Sequence, residues 1–271
     1  MGDNQENVLR KENVALVMLD SSSAFDTVDH ELLLNKLEFN FGIKGKALQL
    51  IQSYLQERTF SVKVGNTQSQ PKRVLFGVPQ GSLLGPLFYI LYTKELEVVV
   101  KECGFKLHMY ADDCQIYLSF TDAGSLTMTR FNECLKNVKI WMDKNALKLN
   151  ADKTKLKVFS PKNQLSNFNL SFENSVIEPS DTVDILGVKL GQNINYASFI
   201  SKKVQVISFH LRNLQHVKES LNVHTKTLLI KNLVLSNLDY CNSLLICATD
   251  KDLKPLKMLL NRAVRFICNV P

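Results

Sequence analysis

Two adjacent carboxylates, Asp112 and Asp113, stand between two short stretches of alternating hydrophobicity, and a third, Asp20, closes an unbroken apolar run. On the near side Leu107, Met109 and Ala111 alternate with His108 and Tyr110; on the far side Ile116, Leu118 and Phe120 alternate with Gln115, Tyr117 and Ser119. Period-two alternation marks a half-buried strand, so the pair belongs at the tip of a β-hairpin. Residues 14–19 are apolar throughout, which suits a strand buried on both faces, and such a strand delivers Asp20 at its end. An ionised carboxylate there is expensive unless it is hydrated, paired or bound to a cation. Carboxylate oxygens suit Mg²⁺, which takes few protein ligands and completes its shell with water and substrate phosphates. Taken alone, an Asp-Asp pair in a turn is ordinary turn chemistry, and a solvated hairpin tip explains it equally.

A second constellation lies between these carboxylates in the chain. In the run Gly77-Val78-Pro79-Gln80-Gly81-Ser82-Leu83-Leu84-Gly85-Pro86, glycines and prolines impose an irregular backbone ahead of an apolar helix expected over residues 87–100. Gly81 has no Cβ, so a ligand can come near the backbone there, and Gln80 can offer it amide hydrogen bonds. As bare structure, the run is a strand-to-helix turn.

Three motifs in order carry a family resemblance. Tyr110-Ala111-Asp112-Asp113, the run Val17-Met18-Leu19-Asp20-Ser21-Ser22-Ser23-Ala24-Phe25-Asp26-Thr27-Val28-Asp29-His30 and the loop just quoted resemble the palm of reverse transcriptases of non-LTR (LINE-type) retrotransposons. The resemblance runs over nearly the whole chain from Val14 on. It implies an RNA-directed DNA polymerase working on an RNA template, a DNA primer and deoxynucleoside triphosphates, with two Mg²⁺ ions held by Asp20, Asp112 and Asp113. Asp20 and Asp112 would bridge the metals and Asp113 would assist. Phe25 looks like the gate against a ribose 2′-OH, with packing as its other reading. Tyr110, Gln80 and Gly81 would line the substrate site. The stretch 147–155 is similar to the family's fourth motif, which makes Lys153 the donor of a proton to the pyrophosphate leaving group, or else a surface lysine in a turn. Residues 183–188 look like the strand that cradles the primer end, with Gly187 allowing backbone contact.

The rest of the chain must position these groups. Helical spacing is read over residues 31–41, with Leu33 and Leu37, over 46–57, with Ile51 and Leu55, and over 125–145, with Phe131, Leu135 and Val138. Asp29 suits an N-cap, and Asp26 and His30 suit the turn before the first of these helices. Two short strands, residues 59–64 and 72–76, flank Gly65-Asn66 and read as a hairpin. From residue 196 onward the pattern is helical. The fold class follows as α+β, a polymerase-type palm with an antiparallel sheet packed on helices and then a small helical thumb, divided as residues 1–192 and 193–271.

Composition agrees. A chain of 271 residues that is 45% hydrophobic can bury a substantial core. No apolar run approaches a membrane span and no signal-peptide core opens the chain, which points to an intracellular protein of cytoplasm or nucleus. Six cysteines without a CxxC pair suggest reduced thiols, mostly in the core, and neither a disulfide framework nor a zinc site. The net charge of +7 is C-terminal: residues 1–199 carry 22 Lys/Arg against 22 Asp/Glu, and residues 200–271 carry 11 against 4. A basic appendage behind a neutral body suits either a nucleic-acid contact surface or a solvated helical face. Lys202, Lys203, Arg212, Arg262 and Arg265 are its candidate phosphate contacts, with Lys226 among its further basic residues. About a dozen residues precede Val14, with Arg10 and Lys11 their only basic ones, so the fingers of full-length relatives are expected to be missing. A catalytically weak or inactive remnant that binds RNA or DNA is the alternative function.

Overall fold

The computed structural model describes residues 12–21, 24–121, 125–160, 168–172, 175–191 and 196–270, apart from the side chain of Cys247. Ser22 and Ser23 of the first motif, and Arg10 and Lys11, lie outside the described residues. The architecture is α+β. The chain divides into two compact units, Met1–Ser180 and Asp181–Pro271.

Four antiparallel strands form the sheet of the first unit: β1 (Asn13–Ser21), β6 (Lys106–Tyr110), β7 (Asp113–Phe120) and β8 (Leu149–Phe159), in the order β6-β7-β1-β8. The apolar run of β1 is central, and Val14, Ala15, Leu16 and Val17 are all buried, as a strand covered on both faces requires. Alternation sends Ala15, Val17 and Leu19 to one face. There they join a core with residues of α1 (His30–Phe39), α3 (Gly85–Thr93), α4 (Leu96–Glu102) and α5 (Ser125–Lys144). Asp29 caps α1 by accepting hydrogen bonds from the Glu31 and Leu32 amides, both at 2.9 Å. The helix expected over residues 87–100 is two helices. At Lys94 and Glu95 the bonding tightens to i→i+3, with Val98 N donating to Glu95 O at 3.0 Å. The Glu95 side chain there receives the largely buried Lys36 ammonium and the Asn40 amide, which hold its carboxyl below the usual carboxylate range.

Between α1 and α3 lie α2 (Gly45–Leu55) and a two-stranded ribbon. The ribbon pairs β2 (Thr59–Phe60) with β5 (Lys72–Arg73), and β3 (Lys63–Val64) with β4 (Thr67–Gln68), around the Gly65-Asn66 turn. This is the expected hairpin, although its return strand stops at Arg73 and not at Phe76. After β8, β9 (Leu170–Phe172) pairs with β10 (Ser175–Ile177).

The second unit opens with a hairpin of β11 (Val183–Ile185) and β12 (Val188–Leu190), which lies ahead of the expected boundary at residue 192. It belongs with the helices because β12 packs on α6 (Ala197–His216), and Tyr240 Oη donates to the Leu186 carbonyl at the hairpin turn. Then come α7 (Val223–Ile230), a π-helical continuation over Lys231–Leu235, α8 (Ser236–Asp239) and α9 (Asp250–Cys268). Ile200, Ile207, Leu211 and Leu214, on one stripe of α6, meet Leu256, Ala263 and Phe266 of α9 in a separate core. Among the described residues no helix is long and apolar enough to cross a membrane. Of the cysteines described, only Cys114 and Cys134 are buried, fewer than expected.

Candidate active site

Pairing sets the carboxylates side by side. Tyr110 faces Asp113 across the hairpin, leaving Ala111 and Asp112 as the turn, and Ala111 takes the left-handed conformation (φ +54°) that a two-residue hairpin turn demands. Opposite, β7 pairs with β1 up to Leu19 and Cys114, so the next residue of each strand, Asp20 and Asp113, emerges at the same end of the sheet. The carboxylates feel one another: the Asp113 carboxyl is pushed up, first by burial and then by the negative charges of Asp112 and Asp20.

On its other flank β1 pairs with β8, and the register breaks at the site. Met18 lies opposite Lys155 but Asp20 lies opposite Asn150, so five steps along β8 match two along β1. Bulges of this kind re-aim side chains. Asn150 closes this one, its Oδ1 accepting from Lys153 N at 3.3 Å and its carbonyl from Thr154 Oγ1 at 2.8 Å. Lys153 therefore sits in a bulged strand and not in a free turn, with its Nζ 3.4 Å from Asp20 Oδ2. That oxygen is shut off from solvent and accepts no hydrogen bond among the described residues, although the Asp20 side chain as a whole is 40% exposed. An enclosed carboxylate oxygen that already faces an ammonium without a hydrogen bond holds positive charge, and it fits a hard cation in the ammonium's place. The gathering is incomplete: among the described residues, no three of His, Cys, Asp and Glu stand close enough to hold one ion together.

Phe25 is half-buried, its ring 4.8 Å from that of Tyr89. Tyr89, a buried residue of α3, was not singled out in the sequence. Its phenol shares a hydrogen bond with the Ser21 side chain, and burial, followed by Cys114 and Asp112, pushes its pKa well up, so it is a neutral floor beneath the site. The apolar alternation of α3 hid it, because a tyrosine on a core stripe reads as packing.

The loop 77–86 is clasped to the segment after β1. Gly77 N donates to Val28 O at 2.7 Å, Val78 N to Phe25 O at 2.8 Å, and Gln80 Nε2 to Asp26 Oδ1 at 3.1 Å. His30 Nε2 lies 2.7 Å from Gly77 O. Gln80 is thus engaged with Asp26, while Gly81 (φ +75°) faces open space with room for a ligand. Tyr110 is 66% exposed beside the carboxylates. The site therefore unites Asp20, Asp112, Asp113, Phe25 and Lys153, with the Gln80–Gly81 loop tied to it through Asp26 and Phe25.

In the second unit Lys202, Arg212, Arg262 and Arg265 are exposed. Lys203 is not available to phosphate. Its ammonium is buried against the carbonyls of Asn237 and, at 2.7 Å, Tyr240, and lies 4.7 Å from the Phe199 ring centroid. Burial lowers its pKa. Lys226 is likewise turned in, bonded to Asn269 Oδ1 at 2.6 Å. Helical spacing alone could not separate these lysines from the solvated ones. Lys203→Ala should destabilise the helical unit by about 1–3 kcal/mol through the carbonyls left unpaired. If Lys202 meets phosphate, Lys202→Ala should instead leave thermal unfolding in place and flatten the log-affinity against log-salt slope on B-form DNA by about 0.9. Salt titrations and melts of both variants check the contrast.

The family description reverse transcriptase (RNA-dependent DNA polymerase) matches residues 3–190. The chain belongs to the reverse transcriptase family. Its relatives include the probable RNA-directed DNA polymerase from transposon BS of Drosophila melanogaster, 26% identical over 96% of this chain and 30% of that protein. The RNA-directed DNA polymerase from mobile element jockey of the same species is 24% identical over 98% of this chain and 30% of its own length. This reverse transcriptase chain therefore spans under a third of these relatives, all polymerases of mobile elements of the non-LTR kind. Among solved structures, apo telomerase of Candida tropicalis matches with a TM-score of 0.51 at 12% identity, over 98% of this chain and 50% of that one. At such identity the likeness concerns the fold alone, and the fold is that of a reverse-transcriptase polymerase domain.

Proposed function

We propose that this reverse transcriptase domain adds deoxynucleotides to the 3′-OH of a DNA primer on an RNA template, within a LINE-type element polymerase. The observation that carries the reading is the Asp20 oxygen, enclosed, without a hydrogen bond and faced by the Lys153 ammonium at 3.4 Å, on the strand end next to the Asp112-Asp113 turn. Asp20, Asp112 and Asp113 would hold two Mg²⁺ ions, which when bound supply Lewis acidity at the attacking and leaving oxygens. The primer 3′-OH gives up its proton to solvent as its oxygen attacks the α-phosphorus, the bond from the α-phosphorus to the oxygen shared with the β-phosphate breaks, and pyrophosphate leaves. Lys153, next to Asp20, donates the proton that the leaving group takes up. The Phe25 ring, supported by Tyr89, excludes a 2′-OH from the sugar position. The Gly81 backbone leaves space for the template or nucleotide, and exposed Lys202, Arg212, Arg262 and Arg265 neutralise duplex phosphates.

Primer extension on an RNA template with Mg²⁺ and deoxynucleotides tests the reading, and absence of metal-dependent extension despite duplex binding rejects it. Phe25→Val should raise ribonucleotide use relative to deoxyribonucleotide by about tenfold or more, since a steric exclusion worth over 1.4 kcal/mol is removed; unchanged discrimination assigns Phe25 to packing. A second reading, a remnant that binds nucleic acid without polymerising, is favoured by one observation, the incomplete gathering of metal donors with Lys153 against Asp20. Under it, duplex binding persists and extension is absent at any Mg²⁺ concentration.

A further inference from the structure

Arg58 and Thr59, at the base of the ribbon between α2 and α3, share a cavity wall with Asp26 and Gln80, while the ribbon beyond them has no part in the site described. Every residue from 56 to 73 is exposed. The ladder extends past its strands, with Ser69 N donating to Val62 O at 2.9 Å and Val74 N to Arg58 O at 2.8 Å. From Arg58 to Val64 it can reach roughly 20 Å at the usual strand rise. A two-stranded ribbon without a second layer is marginal in water, so a ligand that covers it gains from its exposure.

The charge identifies the ligand. Arg58, Lys63, Lys72 and Arg73 lie on the ribbon, and no Asp or Glu occurs between Glu57 and Glu95. None of the four cations has a carboxylate partner among the described residues; Arg58 stacks over the Tyr54 ring at 4.8 Å. Pairing divides the ribbon into two faces. Thr59 lies opposite Arg73, and Lys63 opposite Gln68, whose amide reaches Ser61 Oγ at 2.7 Å; together they make a polar, basic face. Phe60, Val62 and Val64 make the other, with Lys72 opposite Phe60, and these three apolar side chains are 52%, 56% and 74% exposed. Lys72 beside the exposed Phe60 ring is the pairing a nucleic-acid strand uses, a phosphate on the charge and sugar or base on the ring, and Lys63 and Arg73 offer further phosphate contacts on the other face.

We propose that this ribbon is a second nucleic-acid contact, an arm that grips the phosphodiester backbone outside the polymerase site. The choice of nucleic acid over other polyanions rests on the polymerase reading; the existence of an anion-binding arm does not. The test measures binding of the full chain to single-stranded RNA, single-stranded DNA and an RNA–DNA duplex in EDTA, so that binding is read without chemistry. The triple variant Lys63→Ala/Lys72→Ala/Arg73→Ala should bind at least one of the three about tenfold more weakly at low salt. Its slope against log-salt should be shallower by about 2 on a single strand, at about 0.7 per contact. Lys63→Arg/Lys72→Arg should retain binding, and unchanged thermal unfolding of the triple variant separates lost contact from lost fold. Parent-like affinity and slope on all three ligands overturn the proposal. If the ribbon effect is present while the parent shows no primer extension, the polymerase reading alone fails; extension without a ribbon effect sinks only the arm.

Discussion

Replacing Asp112 with asparagine is expected to cut primer extension by about a thousandfold or more, because the isosteric amide keeps the turn and removes a negative charge where cations must gather. Binding of a primer–template duplex should stay within about twofold, since it depends on distributed phosphate contacts. A second readout is independent of turnover. The Asp113 carboxyl is raised by burial and by its acidic neighbours, so deleting one neighbouring charge should let it titrate at lower pH. Carboxyl NMR of the metal-free protein checks that direction. Extension at close to the parent rate would remove Asp112 from the chemistry, and an unmoved Asp113 titration would show that the two side chains do not share a field.

Gly77→Ala carries the largest expected effect on the fold. A Cβ built at Gly77 falls 2.8 Å from both the Cα and the carbonyl oxygen of Asp26, and the residue has φ +87°. Backbone cannot step aside as a side-chain tip can. Left-handed strain of about 1 kcal/mol adds to an overpacking penalty of about 1–3 kcal/mol, for a loss of roughly 2–4 kcal/mol. The damage is local in its origin, because the same loop carries the hydrogen bonds to Val28, Phe25 and Asp26. Hydrogen exchange should therefore speed up first at residues 24–30 and 76–80. Gly81→Ala, with nothing within 4 Å of its Cβ position, should cost only the strain of φ +75°. Equal destabilisation by the two substitutions would show that the clasp is not what holds the loop.

Much of this was legible in the chain itself. The β1 run and the hairpin alternation placed Asp20 and Asp112-Asp113 on neighbouring strand ends, because strand periodicity is a local property and burial follows it. Asp29 announced its cap for the same reason. What was hidden depends on partners distant in sequence. Lys203 looks like its neighbour Lys202, and only the Asn237 and Tyr240 carbonyls, more than 30 residues on, decide that it turns inward. Tyr89 reads as core until Ser21 and Phe25 are set against it. That the β11–β12 hairpin sits with the helices of the second unit was hidden too, since it rests on β12 packing against α6 and on Tyr240 reaching the hairpin turn, contacts that no hydrophobic pattern records.

The slack in β8 has a kinetic meaning. The surplus residues sit between Lys155, paired with Met18, and Asn150, paired with Asp20, so Lys153 is carried by a segment outside the regular ladder. For the Lys153 ammonium to leave Asp20, as the proposed metal site would require, only a swing of that segment and a rotation of one long side chain would be needed, events of nanoseconds to microseconds. No strand has to separate, and β1 keeps both of its neighbours while the occupant of the aspartate changes. If Asp20 takes up a metal ion, as proposed, its exchange with the Lys153 ammonium would in this way be decoupled from the slow breathing of the sheet that holds the aspartate.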